Sequence, residues 1–279
     1  MAEYRIWSSS AKRVLQAAYL QEPDSVPVGP YMGNHGAKVA GVKISEYCTD
    51  ARVMAEAQLK AWDIYGQDII PVQSDNYYIA EGFGVKVEMH EDSTPTLKKP
   101  VIEDLKDIYG LKVPEPYRDG RMAVYLEATK RVKEQVGALA AVRGTGTGPF
   151  ALAGHLMGTE RFLMELAMAD MDPEGEEAAA LRHLLDLTSD ALIEFAKALL
   201  KEGADIVQAG DSLASIDVIS PKMYRKWAFP YEKKFFKAIN RELRDKNAAA
   251  ILHVCGNMTP VLNEMAETGA NILELDYKV

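Results

Sequence analysis

The sequence predicts an α/β protein of the (β/α)8 barrel class, the TIM barrel. Six short apolar segments with strand character recur along the 279 residues, and all but the last are followed by a helical pattern. Such repeats favour a parallel sheet with helices on its faces. Polar and glycine-rich residues gather directly after the strands, at the end of the sheet where barrel enzymes place their active sites. An open doubly wound sheet is the competing architecture, but no Gly-x-Gly-x-x-Gly motif opens a helix after the first strand.

Strand and helix patterns alternate along the whole chain. The predicted strands cover residues 26–32, 69–73, 139–143, 205–209, 248–252 and 272–275. The predicted helices cover residues 9–20, 46–65, 101–108, 117–136, 149–168, 174–202, 221–243 and 259–268. Residues 82–92 alternate between apolar and polar side chains like one arm of a β-hairpin.

One barrel domain accounts for residues 1–279. Six strands occupy roughly 250 residues, so eight units at this spacing would need about 80 more. A six-stranded barrel would leave two unpaired strand edges, which native proteins avoid. The sequence therefore predicts a barrel whose C-terminal units are missing or lie elsewhere.

Composition narrows the classes of function. Hydrophobic residues make up 48% of the chain and charged residues 26%, as in ordinary globular proteins. The net charge of −9 argues against a nucleic-acid partner, because phosphate binding needs a basic surface. The sequence shows neither a signal peptide nor an apolar run of about 18 residues, so it does not indicate export or membrane spanning. The two cysteines do not suggest a disulfide framework, so we expect a cytoplasmic protein with free thiols.

The end of the fifth predicted strand carries the most informative motif, His253-Val-Cys255-Gly256. Side chains two positions apart on a strand project in the same direction, so His253 and Cys255 face one point. Imidazole and thiolate are ligands that Zn²⁺ prefers. The alternative is a buried cysteine beside a hydrogen-bonded histidine. We predict that both residues bind a metal.

Other strand ends supply further candidates. Asp211 follows a strand and is interpreted as a zinc ligand, an acid or base, or a hydrogen-bond partner of His253, with a helix cap as the alternative. Ser212 is predicted to cap a helix or to bind substrate. Asp75 is a candidate catalytic residue, and a turn role is its alternative. The glycines of residues 144–148 are interpreted as a loop that lets substrate or a large cofactor approach closely.

Several segments together resemble the uroporphyrinogen decarboxylase superfamily. They are Ser74-Asp75, Gly148–His155, Gly203–Ser212 with Ser220–Tyr224, and His253–Gly256 with Gly269–Asp276. The similarity runs from about residue 9 to the end of the chain. The family folds as a (β/α)8 barrel, which agrees with the strand and helix pattern.

Departures from the family pattern distinguish between its two chemistries. Decarboxylases of the family resemble one another in an arginine-rich loop that grips the carboxylates of the substrate. Residues 31–38 occupy that loop here and contain no arginine, and His155 stands where decarboxylases tend to have tyrosine. We expect Tyr31, Asn34 and His155 to bind substrate instead. Asp75 matches the catalytic aspartate of the decarboxylases, so that reaction remains the alternative.

The second branch of the family contains the cobamide-dependent methyltransferases, which resemble this chain at His253-x-Cys255. The resemblance implies a zinc ion held by these residues and by a second, more C-terminal cysteine that has no counterpart here. Cys48 is a weak candidate for the missing ligand. The implied reaction transfers methyl from a methylcobamide, free or on a corrinoid protein, to a thiol or another small acceptor. A non-catalytic corrinoid- or tetrapyrrole-binding protein is a further alternative.

Overall fold

The computed structural model describes residues 9–277 and residue 279, and five parallel strands form its main sheet. In chain order the strands are β1 (Ile69–Val72), β2 (Lys86–Glu88), β3 (Thr96–Lys99), β4 (Ala141–Gly144), β5 (Ile206–Gly210), β6 (Ala249–Val254) and β7 (Ile272–Leu275). The main sheet has the order β1-β4-β5-β6-β7, with every neighbouring pair parallel. Strands β2 and β3 form a separate antiparallel hairpin. The order of the sheet therefore follows the chain, as a (β/α)8 barrel requires.

Helices follow the strands of the main sheet and cover its outer face. The α-helices are α1 (Ser10–Ala18), α2 (His35–Ala40), α3 (Ile44–Thr49), α4 (Ala51–Tyr65), α5 (Tyr78–Gly82), α6 (Met122–Val136), α7 (Pro149–Met157), α8 (Thr159–Met171), α9 (Glu176–Lys201), α10 (Pro221–Met223), α11 (Phe229–Lys246) and α12 (Leu262–Ala266). Short 3-10 helices cover Leu105–Gly110, Ser212–Ala214 and Thr259–Val261, and a π-helix covers Tyr224–Ala228. In the described part of the chain, no helix is long and apolar enough to cross a membrane.

The first predicted strand, residues 26–32, is wrong. The structure has no strand there. Pro27 and Pro30 lack the N–H groups that a sheet ladder needs. The segment is held at Val28, whose N–H donates to Oδ2 of Asp68 at 2.7 Å and whose carbonyl accepts from the N–H of Asp68 at 2.8 Å.

Two predicted long helices are each divided by one residue. Asp50 separates α3 from α4, because its side chain accepts hydrogen bonds from the N–H groups of Arg52 and Val53 and so starts a new helix. Gly158 separates α7 from α8 with a φ of +88°, outside the helical region. Apolar periodicity runs through both breaks, which explains why the sequence predicts single helices.

Helix α1 closes the N-terminal end of the sheet. It begins at a capping serine, Ser9, whose hydroxyl accepts a hydrogen bond from the N–H of Lys12. Ala11 and Val14 of α1 are buried against inward-facing residues of all five parallel strands. These residues are Ile69, Ala141, Ile206, Ile251 and Ile272. They form an apolar layer at the bottom of the sheet interior.

A polar layer lies directly above this apolar layer. Side chains alternate along a strand, so the residue two positions further on faces the same side. Starting from Ala141, Ile206, Ile251 and Ile272, this rule places four polar residues on the inner face. They are Arg143, Gln208, His253 and Glu274. The inner face of the sheet therefore changes from apolar to polar over two residues of each strand, and the candidate site lies in the polar layer.

Candidate metal and substrate site

An ion pair spans the inner face of the sheet, from β4 to β7. The guanidinium of Arg143, from β4, donates to Oε1 and Oε2 of Glu274, from β7, at 2.9 Å and 2.5 Å. Its Nε donates to Oε1 of Gln208 at 2.8 Å. Burial alone would raise the pKa of Glu274, but the nearby imidazole of His253 and the hydrogen bonds from Arg143 lower it to about 2. Glu274 is therefore a carboxylate at neutral pH.

His253 lies between this ion pair and Cys255. Its Nδ1 is 3.0 Å from Oε2 of Glu274, and its Nε2 is 3.2 Å from Sγ of Cys255. Cys255 is exposed, and its sulfur also lies 3.3 Å from the hydroxyl oxygen of Ser212. The predicted convergence of His253 and Cys255 at the end of β6 is present, with Ser212 beside them.

Tyr31 covers one face of this group. Its ring stacks on the imidazole of His253 with 5.5 Å between centroids and an interplanar angle of 16°. The guanidinium of Arg143 lies 5.1 Å from the centroid of the same ring. The hydroxyl of Tyr31 accepts a hydrogen bond from Nε2 of Gln73, just beyond β1. With 47% of its surface exposed, Tyr31 lies between the buried polar layer and solvent.

The donor atoms of His253 and Cys255 fit two positions of a tetrahedral zinc site. Bonds of about 2.0 Å to nitrogen and about 2.3 Å to sulfur would place the two donors about 3.5 Å apart. The observed separation of 3.2 Å needs only a small rotation of either side chain. Among residues 9–277 and 279, no group of three or more His, Cys, Asp and Glu side chains is arranged to hold a metal ion.

Asp211 is occupied by a helix rather than by the His–Cys pair. Its Oδ1 accepts from the N–H of Ala151 at 2.6 Å and its Oδ2 from the N–H of Phe150 at 3.2 Å, both in the first turn of α7. Burial raises its pKa to about 7, against the opposing effect of these two hydrogen bonds. The backbone N–H of Asp211 donates to the carbonyl of His253 at 2.8 Å. We expected Asp211 to be a possible zinc ligand, but its carboxylate caps α7 instead. A catalytic role for Asp211 stays a prediction.

Asp75 forms part of a buried ion pair at the end of β1. Its carboxylate accepts from Nη1 and Nη2 of Arg121 at 2.8 Å and 3.0 Å, and from the hydroxyl of Tyr125 at 3.0 Å. The N–H of Tyr77 donates to Oδ1 at 2.8 Å. Arg121 also donates to Glu81 at 2.6 Å. These partners surround Asp75 on all sides, and its proposed catalytic role stays a prediction.

Asn34 and Cys48 meet at Ser74, beside Asp75. The hydroxyl of Ser74 donates to Oδ1 of Asn34 at 2.8 Å and lies 2.6 Å from Sγ of Cys48. Burial raises the pKa of the Cys48 thiol to about 11. This thiol packs in the core against Ser74, so the structure does not support Cys48 as the third metal ligand. Asn34 remains a predicted substrate-binding residue.

His155 lies in the last turn of α7. Its ring packs against Tyr77 with 4.6 Å between centroids. Burial lowers its pKa from 6.5 to about 4, so the imidazole is neutral at neutral pH. Its Nδ1 is buried without a hydrogen-bond partner. The predicted role in substrate binding is compatible with this position near Asp75 but stays a prediction.

Replacing His155 by leucine is expected to remove a pH dependence of stability. The folded protein disfavours protonated His155, so stability is complete above the unfolded pKa of about 6.5 and falls as the pH drops toward 4. At pH 5 we expect this loss to be about 1–2 kcal/mol in the wild type. Urea denaturation at pH 7.5 and pH 5 should show it in the wild type and in His183→Leu, an exposed control, but not in His155→Leu. Equal pH dependence in all three proteins would contradict the assignment.

The glycine-rich loop after β4 is packed against protein rather than open to a ligand. A Cβ at Gly144 would lie 2.7 Å from Leu199, one at Gly146 would lie 2.5 Å from Leu192, and one at Gly148 would lie 2.5 Å from Asp211. The interpretation of this loop as an approach for substrate or corrinoid is wrong. Small residues are needed there because helix α9 and Asp211 lie so close.

The sequence analysis does not identify three polar residues that contact the site. They are Arg143, Gln208 and Glu274. Each interrupts an otherwise apolar strand, at the position that shares a face with a buried or partly buried isoleucine or alanine. That pattern is a detectable signal, because burying a charged side chain is costly unless it is paired.

Comparison with known proteins agrees with the resemblance to the uroporphyrinogen decarboxylase superfamily. The uroporphyrinogen decarboxylase (URO-D) family profile matches residues 9–279. The methylcobamide:CoM methyltransferase MtbA of Methanosarcina acetivorans is 31% identical over 243 residues, which cover 87% of this chain and 68% of that protein. A uroporphyrinogen decarboxylase of Prochlorococcus marinus is 28% identical over 227 residues, covering 80% of this chain and 61% of the relative.

A solved structure described as a methyltransferase from Methanosarcina mazei superposes with a TM-score of 0.82 at 26% identity, covering 96% of this chain and 75% of that one. This match confirms the predicted fold class. The chain spans about two thirds of the length of the curated methyltransferase MtbA.

Proposed function

Because the chain belongs to the uroporphyrinogen decarboxylase (URO-D) family, we propose that it acts as a zinc-dependent methyltransferase. The methyl group would pass from a methylated corrinoid, free or bound to a corrinoid protein, to a thiol or a similar small acceptor. The observation that carries the proposal is the pair of donors at the end of β6, where Nε2 of His253 faces Sγ of exposed Cys255 at 3.2 Å. Similarity to two methylcobamide:CoM methyltransferases at 30–31% identity supports it.

His253 and Cys255 would hold the metal. When bound, zinc lowers the pKa of a coordinated thiol, so that the acceptor sulfur is a thiolate at neutral pH. Tyr31 would restrict the rotation of His253 and border the space above it. Ser212 would donate to the sulfur of Cys255 and keep it directed to the same point.

The proposed reaction balances without an added oxidant or reductant. The acceptor thiol gives up its proton to solvent, and its sulfur forms a bond to the methyl carbon. The cobalt–carbon bond breaks with both electrons left on cobalt, which gives Co(I). The products are a methyl thioether and the demethylated corrinoid.

Decarboxylation is less well supported by the site. Its main candidate residue, Asp75, has a side chain with no exposed surface, and Arg121, Tyr125 and the backbone of Tyr77 bind both carboxylate oxygens. A tetrapyrrole would have to displace these partners to reach the carboxylate. Family relatives of both chemistries exist, so the two reactions are compared directly in the test.

The test incubates the full chain with zinc, methylcobalamin and a small thiol such as 2-mercaptoethanesulfonate. We expect thiol-dependent loss of methylcobalamin, followed by its absorption spectrum, and a methyl thioether detected by mass spectrometry. A parallel incubation with uroporphyrinogen should release no carbon dioxide. A spectral shift of the corrinoid without turnover would instead indicate a binding protein, and release of carbon dioxide would indicate a decarboxylase.

A further inference from the structure

We propose that Glu274 and Arg143 are positioning residues that fix the ring orientation and the protonated nitrogen of His253. The inference rests on the proposed function, since a bound metal is the reason that one ring nitrogen of His253 must stay free of a proton.

Glu274 selects the nitrogen of His253 that carries the proton. Oε2 of Glu274 lies 3.0 Å from Nδ1 of His253, although the two atoms are not aligned for a hydrogen bond. A lone pair on Nδ1 would face the negative charge of the carboxylate, so the contact favours a proton on Nδ1. Nε2 then keeps its lone pair and directs it toward Sγ of Cys255 at 3.2 Å. In metalloproteins, a carboxylate on the second ring nitrogen commonly sets the orientation and basicity of a ligating histidine.

Arg143 holds Glu274 in place. Only 2% of Arg143 is exposed, and the residue reaches from β4 past β5 and β6 to β7. It binds both carboxylate oxygens, a geometry that arginine provides and lysine does not. The oxygen that accepts from Nη2 of Arg143 is also the one that faces His253, so the ion pair and the histidine share one atom.

Two further contacts fix Arg143 itself. Its Nε donates to Gln208, and its guanidinium lies against the ring of Tyr31, which also stacks on His253. The imidazole is thus held at Nδ1 by Glu274 and on one face by Tyr31. A 180° flip of the ring would lose the contact of Nδ1 with Glu274, and a smaller rotation would also tilt the ring away from Tyr31.

The test uses Glu274→Gln and Arg143→Met, with Lys133→Met as the matched control. Lys133 also forms an ion pair, at 2.8 Å with Asp205, but this pair is partly exposed and lies at the opposite end of the sheet. Cobalt(II) serves as the metal probe because its visible absorption reports binding and thiolate ligation. We expect both site variants to bind cobalt about 10- to 100-fold more weakly than the wild type, and Lys133→Met to bind it unchanged.

A metal-free measurement separates this inference from the proposed function. Two-dimensional ¹⁵N NMR distinguishes imidazoles protonated on Nδ1 from those protonated on Nε2, and His253→Gln identifies the signal among the five histidines. We expect Nδ1–H in the wild type and a mixture of both forms in Glu274→Gln. If the wild type binds no cobalt but shows this difference, the metal proposal fails and the positioning role stands. If Glu274→Gln keeps the wild-type signal, or if the wild type binds cobalt and Glu274→Gln binds it equally tightly, the positioning role is wrong.

Discussion

Replacing Cys255 by serine is expected to abolish zinc binding and to reduce methyl transfer to thiols by at least about 100-fold. A serine hydroxyl does not ionise under a metal's influence as a thiol does, so the variant loses one of two donors found in the described part of the site. Cobalt(II) titration followed by absorption should show no thiolate-to-metal transition in the variant. The methylcobalamin assay should show demethylation at the level of the protein-free control.

Cys48→Ser is the matched control for this prediction. It changes the other cysteine of the chain, Cys48, which is buried and packs against Ser74 rather than against His253 or Cys255. We expect unchanged cobalt binding and unchanged transfer in this variant. The metal proposal fails if Cys255→Ser binds zinc as tightly as Cys48→Ser does.

Replacing Arg121 by methionine is expected to destabilise the protein by about 3–5 kcal/mol. The variant leaves the carboxylate of Asp75, whose side chain has no exposed surface, without its cation. The hydroxyl of Tyr125 and the N–H of Tyr77 cannot balance that charge. Equilibrium urea denaturation followed by circular dichroism measures the loss as a lower midpoint.

Arg131→Met provides the comparison, in the helix that begins directly after Arg121. Arg131 pairs with Glu127 on the exposed surface of α6, so its loss should cost less than about 0.5 kcal/mol. The double variant Arg121→Met with Asp75→Asn should recover part of the lost stability, because it removes the uncompensated charge. If Arg121→Met unfolds at the wild-type urea concentration, the ion pair is not a major source of stability, and Asp75 is freer to act in catalysis than the structure indicates.

Strand positions could be predicted from the sequence because they carry short apolar runs with polar ends. Five of the six predicted strands are present, and their order in the sheet follows the chain as a barrel requires. The convergence of His253 and Cys255 follows from the two-residue periodicity of β6 alone. The exception is residues 26–32, where two prolines leave too few N–H groups for a ladder.

The surroundings of the site could not be predicted, because they depend on contacts between distant parts of the chain. Asp211 and Asp75 both follow strands, yet one caps α7 and the other pairs with Arg121 at the start of α6. Nothing local in the sequence distinguishes a carboxylate that faces a substrate from one that faces a helix. Glu274 contacts His253 only because β7 lies beside β6, and Arg143 reaches it only because the sheet curves.

The ion pair between Arg143 and Glu274 also has a consequence for local unfolding. Among the described strands, β7 pairs with β6 alone, and a strand with one neighbour would ordinarily fray and exchange its amide hydrogens quickly. Detaching β7 would remove Glu274 from the guanidinium of Arg143, which is only 2% exposed and lies on β4, three positions away in the sheet. The buried charge would then have no counterion. The last strand should therefore open together with the middle of the sheet rather than ahead of it. Its hydrogen-exchange protection would then report the cooperativity of the whole sheet.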